Sequence, residues 1–308
     1  MNKTSRRPVA LGAPRHWLSW SAAALLFLLG RLPAPALALL GDGLGTLLYV
    51  LAGARRRVAL RNLSVCFPKM TPANHRRLAR RHFRALGRSL LDPGLFWWAS
   101  AARLQRLVRI SGRAHYEAAL ATGRPVILLV PHFVAIQAGI VLSIERRVAF
   151  IYRPLDDDVL GMVYVRQLER FNGQGIARHH GLRGALRAFK EGLPLYYLPD
   201  QDFGRAHAVF APFFGVPTAA TTALSRLARV SGALVVPCLT RQRALGGYEI
   251  ILRPAFSDYP SGDDLADATR MNVAIEQAVI SMPEQYFWVH KRFKTRPSPD
   301  DPDFYARS

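Results

Sequence analysis

The chain reads as an α/β protein: a central, mostly parallel or mixed sheet flanked by helices, with an N-terminal hydrophobic anchor. Three observations predict this. From residue 124 onward, short apolar runs alternate with helix-length amphipathic segments, the pattern of strands joined by crossover helices. At 308 residues, half of them hydrophobic, the chain can bury one large core or two modest ones. Ahead of that alternation lies an apolar stretch with no strand pattern, flanked by basic residues.

Taken in order, the first element is that anchor. Lys3, Arg6, Arg7 and Arg15 precede an apolar run from Trp17 to Gly30; Arg31 follows, then a second apolar stretch, Leu32 to Leu40, with two prolines. The first run has 14 residues, short of the roughly 20 that a full span needs. Ala36-Leu37-Ala38 has the small residues of a signal-peptidase site, but Arg31 and Pro33 separate it from the apolar run. Both flanks are basic, the second through Arg55-Arg56-Arg57, which favours an uncleaved anchor lying in the interface or folded as a hairpin on the cytoplasmic leaflet. Residues 1–53 are therefore read as the anchor region and 54–308 as the folded domain.

Thr71-Pro72 opens a helix, with a capping hydroxyl and proline at its first position. Leu78, Phe83, Leu86 and Leu90 recur at helical spacing, while Arg76, Arg77, Arg80, Arg81, Arg84 and Arg88 occupy much of the rest. Such a basic helix suits anionic headgroups, an acidic carrier protein or plain solvent. Strands are expected over 126–130, 148–152, 195–198, 234–239 and 248–252, and helices over 138–144, 156–170, 181–190, 219–231 and 264–281.

The charge balance narrows the partners. With 42 basic and 21 acidic residues the net charge is +21, which favours an anionic partner. No nucleic-acid recognition motif accompanies that charge, and the apolar N-terminus argues against nucleic acid. The two cysteines, Cys66 and Cys238, sit in apolar contexts and make no disulfide framework, so the folded part is expected to face a reducing compartment.

Candidate chemistry gathers at strand ends. His132 follows the first strand, Arg153 the second and Asp200 the third, and in open α/β sheets the ligand crevice lies beyond those carboxyl ends. A histidine can take the proton of an alcohol that attacks an acyl carbon, provided a partner on its other ring nitrogen fixes the tautomer. Many acyltransferases place a carboxylate five positions after the histidine. Here that position is Gln137, whose amide oxygen could orient the ring but supplies no negative charge. Asp200 and Asp202 form an Asp-x-Asp pair of the kind that can hold Mg²⁺. Phe210, Phe213 and Phe214 are candidates for an acyl groove or for plain core. His179-His180 and His207 lack ligand spacing to other metal-binding residues.

Six blocks in order carry a resemblance. Arg56-Arg57-Val58-Ala59-Leu60-Arg61-Asn62-Leu63 with Cys66-Phe67-Pro68, then Pro131-His132-Phe133, Tyr152-Arg153-Pro154, Asp200 to Gly204, Phe210 to Gly215, and Gln285 to Pro297 resemble the lipid A biosynthesis (lysophospholipid) acyltransferase family of Gram-negative bacteria. The resemblance implies a glycerolipid-acyltransferase-like fold and an acyltransferase domain over residues 54–308. It implies transfer of a fatty acyl chain from acyl carrier protein to a hydroxyl of a lipid A precursor at the inner membrane, on its cytoplasmic side. His132 would be the general base, Gln137 its ring partner, and the backbone at the start of the following helix the oxyanion donors. Arg153 and Arg178 would pair with an acceptor phosphate. Of Asp200 and Asp202, one would pair with an arginine in the substrate site and the other would support the turn at Gly204. No metal and no cofactor are implied. Because Gln137 replaces the motif carboxylate, two alternatives stand beside this reading: a catalytically impaired acyltransferase-like protein, or an enzyme for another lysolipid or aminolipid. A Glu-to-Gln change engineered to trap a complex would give the same sequence.

Overall fold

The computed structural model describes residues 11–206 and 208–306. Lys3, Arg6, Arg7 and His207, singled out above, lie outside the described residues. The strands are β1 (Val108–Ser111), β2 (Val126–Leu129), β3 (Val148–Tyr152), β4 (Gly173–Ala177), β5 (Leu195–Tyr197), β6 (Ala208–Phe213), β7 (Val216–Thr221), β8 (Leu234–Gln242) and β9 (Tyr248–Leu252). Seven of them form one sheet in the order β1-β9-β8-β2-β5-β3-β4, parallel throughout except for the β8–β9 pair. β6 and β7 make a separate antiparallel hairpin.

The apolar run Val126-Ile127-Leu128-Leu129 is buried at every position because both faces of the sheet are covered. Ile127 and Leu129 point into one core with Phe83, Leu224 and Ile275; Val126 and Leu128 point into a second with Phe96, Leu104 and Ile140. β3, β9 and the helices Gly181–Lys190 and Asp264–Ser281 coincide with the expected spans. The expected helix 219–231 does not: residues through Thr221 belong to β7, and the helix runs only from Ala223 to Ser231. The hairpin explains this. Phe214 and Gly215 both have positive φ, 49° and 75°, the backbone of a tight two-residue connection, so Ala219 and Ala220 are drawn into pairing with β6 despite their helix preference. β1 and β4 also escape the hydrophobic pattern; β4 reads Gly-Gln-Gly-Ile-Ala and lies at the sheet edge.

Among the described residues five α-helices precede β1: α1 (Trp17–Leu29), α2 (Ala34–Leu51), α3 (Gly53–Cys66), α4 (Pro72–Phe96) and the short α5 (Ala101–Leu107). The Thr71 hydroxyl caps α4, accepting from the Asn74 N–H at 3.3 Å. Leu78 and Phe83 are buried and Arg76, Arg77, Arg80, Arg81 and Arg84 are exposed, as the periodicity predicts. Two positions differ: Leu90 is half exposed, and Arg88 turns inward, its Nε and Nη2 each 2.6 Å from a carboxylate oxygen of Asp42 on α2.

That ion pair sits in a seam where the helix backbones touch. A Cβ added at Gly45 would fall 2.1 Å from the Phe83 carbonyl oxygen, one at Gly41 2.6 Å from the Arg88 Cα, and one at Gly87 2.2 Å from the Gly41 carbonyl oxygen. Only glycine permits this approach, a spacing of small residues familiar from closely packed helix pairs. Arg103 closes the turn between α1 and α2, donating to the Gly30 and Leu32 carbonyls at 2.5 Å each. α2 is long and apolar enough to cross a membrane by length and composition. One face is held against α4, and the other leaves Leu39, Val50 and Leu51 72, 62 and 69 % exposed. On α1, Leu18 is 82 % exposed.

α4 also buries His82 completely; its Nδ1–H donates to the Glu284 carbonyl at 3.0 Å and its Nε2 has no partner among the described residues. Burial lowers its pKa to about 4, although the bond to Glu284 opposes this.

Two outcomes are expected. Gly45→Leu should destabilise the protein by at least about 2 kcal/mol through overpacking. Gly43→Leu, with nothing within 4 Å of an added Cβ, should not, as thermal unfolding in detergent will show. The unfolded His82 titrates near 6.5 and the folded one near 4, so its contribution is intact above pH 6.5 and drains away as pH falls toward 4. Melting curves should therefore lose about 2 kcal/mol from this residue between pH 6.5 and 5, a loss that His82→Gln removes.

Candidate active site

β2 and β5 are parallel neighbours, Leu129 opposite Tyr197, and the Val130 N–H extends the ladder to the Tyr197 carbonyl at 2.9 Å. His132 and Asp200 each lie three residues beyond that registered pair. The register delivers them to each other: His132 Nδ1 is 2.5 Å from Asp200 Oδ1, and the His132 backbone N–H donates to Oδ2 at 2.9 Å. An ionised carboxylate can only accept, so the ring proton sits on Nδ1 and Nε2 carries a free lone pair. Burial alone would raise the Asp200 carboxyl. The His132 imidazole and the hydrogen bonds from His132, together with the Arg292 charge, outweigh that and hold it below the usual carboxylate range. The Asp200 side chain is wholly buried, whereas that of His132 is 19 % exposed.

This arrangement corrects two sequence expectations. The partner of the His132 ring is Asp200 and not Gln137, which lies half-buried in the 3-10 turn Ile136–Val141 and makes no hydrogen bond to His132 among the described residues. Asp200, expected to face an arginine or substrate, is turned to the histidine instead. The oxyanion donors expected from a following helix meet the same short turn, where the Val134 N–H is committed to the Gln285 carbonyl and the Ile136 N–H to the Phe133 carbonyl.

Asp202 ties the turn and the C-terminal segment together. It accepts from the Gly204 N–H at 2.9 Å, the Thr295 hydroxyl at 2.8 Å and the Thr295 N–H at 2.7 Å. Gly204, at φ +92°, is a position that other residues adopt only with strain. The Asp202 N–H donates to His290 Nε2 at 3.1 Å. Burial, then the Arg292 and His132 charges, lower His290 to about 4, so it stays neutral and can accept that bond.

Residues that sequence reasoning left unassigned complete the site. The segment after the turn Pro283–Gln285 crosses the His132 loop, with the Phe287 N–H donating to the His132 carbonyl at 3.0 Å and Phe133 opposite Tyr286 in an antiparallel bridge. Asn62 of α3 is buried and donates to the carbonyls of Trp288 at 2.7 Å and His290 at 2.8 Å. A recess beside His132 and Asp200 is lined by Asn62, Gln201, Tyr286, Phe287, His290 and Arg292, among others. Burial and the Asp200 charge push the Tyr286 phenol far up, so it remains a neutral hydroxyl. Asn62 and Arg292 both lie within the sequence blocks noted above, but nothing in their spacing tells which block touches which.

Arg153 and Arg178 stand elsewhere. Arg153 follows β3, one strand beyond β5; its side chain is 67 % exposed and 4.0 Å from the Asp156 carboxylate. Arg178 follows the edge strand β4, at about 4.8 Å further along the sheet, and is exposed. Neither lines the recess. Phe213 is core, packed on Phe214, Tyr286 and Phe293, and Phe210 lies under Arg205.

Comparison with known proteins shows the family. The chain is 34 % identical over 300 residues to a lipid A biosynthesis lauroyltransferase of Escherichia coli (strain K12), covering 96 % of this chain and 98 % of the relative. It is 33 % identical over 287 residues to a lipid A biosynthesis palmitoleoyltransferase of the same strain, covering 92 % and 93 %. A lipid A biosynthesis myristoyltransferase, also of that strain, is 31 % identical over 290 residues, covering 92 % and 88 %. The profile of the bacterial lipid A biosynthesis acyltransferases matches residues 6–295. A histidine–aspartate pair at the mouth of the sheet and a match over nearly the whole chain lead to one conclusion: the protein belongs to the bacterial lipid A biosynthesis acyltransferase family and is an acyltransferase.

Proposed function

We propose that the protein transfers a fatty acyl chain from acyl carrier protein to a hydroxyl of a lipid A precursor, with His132 as general base and Asp200 as its partner. The observation that carries this is the contact of 2.5 Å between His132 Nδ1 and Asp200 Oδ1, which leaves Nε2 unprotonated at the edge of a recess. The acceptor hydroxyl gives its proton to Nε2 as its oxygen attacks the thioester carbon. Asp200 stabilises the imidazolium through the other ring nitrogen. Collapse of the tetrahedral intermediate breaks the carbon–sulfur bond, and the imidazolium returns the proton to the departing thiolate, so that ester and thiol are the products. Asp200, at 2.5 Å from the ring, would supply the charge that Gln137 lacks, which supports an active enzyme over an impaired one.

The anchor reading draws on the same structure. Residues 1–53 would lie in the inner membrane on its cytoplasmic side, with the exposed leucines of α1 and α2 among the acyl chains. Arg55, Arg56, Arg57 and the exposed arginines of α4 would meet anionic headgroups or the acidic carrier. Arg153 and Arg178, exposed beyond the strand ends, remain suited to acceptor phosphates.

Assays with acyl carrier protein as donor, read by mass spectrometry of the lipid product, should show His132→Ala inactive. Asp200→Asn should fall by about 10³ to 10⁴ in turnover, the scale of a lost ring-orienting carboxylate, while Gln137→Ala should change the rate less than about tenfold. Full activity of either His132→Ala or Asp200→Asn would sink the mechanism. Separately, replacing Leu39, Val50 and Leu51 with serine should release the protein from anionic vesicles in flotation; unchanged binding would remove this face from the membrane reading.

A further inference from the structure

Arg292 is 3 % exposed, and its guanidinium is under-satisfied. Nη2 donates to Asn272 Oδ1 at 3.2 Å, and the group lies 5.2 Å from the Phe213 ring centre. Among the described residues, Nε and Nη1 have no hydrogen-bond partner. Asn272 is neutral and spends its own N–H on the Pro212 carbonyl at 2.9 Å. A guanidinium cannot shed its proton, so a buried positive charge stands here without an ion pair among the described residues.

What that charge acts on follows from its surroundings. Arg292 shares the recess with Asp200, His132, Tyr286 and His290. Its field also reaches Cys66 of α3, where Glu276 from the helix Asp264–Ser281 acts too. Burial keeps the thiol and the phenol protonated, and Glu276, itself pushed up by burial, is committed to the Phe214 N–H at 2.8 Å. Asp200 is left as the carboxylate facing the same recess, wholly buried and bonded on its open side to His132.

We propose that Arg292 is a positioning residue for the acyl transfer: its buried, unneutralised charge keeps Asp200 ionised, so that the His132 ring always presents a lone pair at Nε2. The inference rests on the reading of His132 as general base. Without that charge, burial would favour a proton on the Asp200–His132 pair at higher pH, and the base would be blocked sooner.

The full-length protein in detergent provides the test. Rates of acyl transfer from acyl carrier protein are followed against pH for the wild type, Arg292→Met, Arg292→Lys and Asn272→Asp. The last variant sets a carboxylate against Arg292 and neutralises it in place. Arg292→Met and Asn272→Asp should both move the acid limb of the profile up by about one pH unit, with KM little changed, and Arg292→Lys should keep the wild-type limb. An unmoved limb in Asn272→Asp overturns the proposal even if Arg292→Met fails to fold. So does a lysine variant that shifts as far as the methionine one, or a rise in KM with the limb in place. Histidine NMR on the same proteins separates the two readings. If the wild type transfers no acyl chain, the function assigned above fails, while the Asp200–His132 pair must still take up its proton at higher pH in Arg292→Met and Asn272→Asp for the role of Arg292 to stand.

Discussion

One hydrogen bond organises this molecule: the contact of His132 with Asp200 across two adjacent parallel strands. Its geometry depends on strand register. A slip of one residue between β2 and β5 would carry one partner to the opposite face of the sheet. The remaining architecture holds that register and the two loops that leave it. The apolar strands are buried on both faces, the segment after Gln285 bonds the His132 loop from the side, and Asn62 pins that segment to α3. Asp202, two residues past Asp200, fastens the other end through Thr295 and His290.

The site illustrates how a buried carboxylate is kept useful. Asp200 loses all contact with water, which favours its neutral form, yet three groups pull the other way: the imidazole, the guanidinium of Arg292 in the same recess and the His132 amide. Tyr286 and His290, close by, are forced to the opposite outcome and stay neutral. A single recess thus contains groups whose protonation is driven apart by burial and charge, the condition under which acid and base roles become separable.

Much of the fold is visible in the chain itself. Apolar runs with two-sided burial mark β2, β3, β5, β8 and β9, and the arginine-studded periodicity of α4 shows its exposed face. The failures have physical causes. β4 is glycine-rich and β7 is built of small residues, so neither carries a hydrophobic signal, and hairpin pairing overrides helix preference at Ala219 and Ala220. His132 and Asp200 were both recognisable as strand-end residues, but their partnership depends on a register 68 positions apart in sequence. Local spacing favoured Gln137 for the same reason, because a motif distance along the chain is legible and a distance across a sheet is not. The seam of Gly41, Gly45 and Gly87 follows a small-residue pattern that gains meaning only when the opposing helix is known.

That seam has a mechanical consequence. α2 presents leucines outward on one side and is locked backbone to backbone with α4 on the other, and α4 feeds both cores, Phe83 the one beside Ile127 and Phe96 the one beside Leu128. The leucine-bearing face of α2 and the core that holds Phe83 and Phe133 thus meet through one helix pair. On the proposed membrane reading, the packing of α2 on α4 sets how high the His132 opening stands above the plane those leucines rest on, and a lipid would meet the histidine at that altitude.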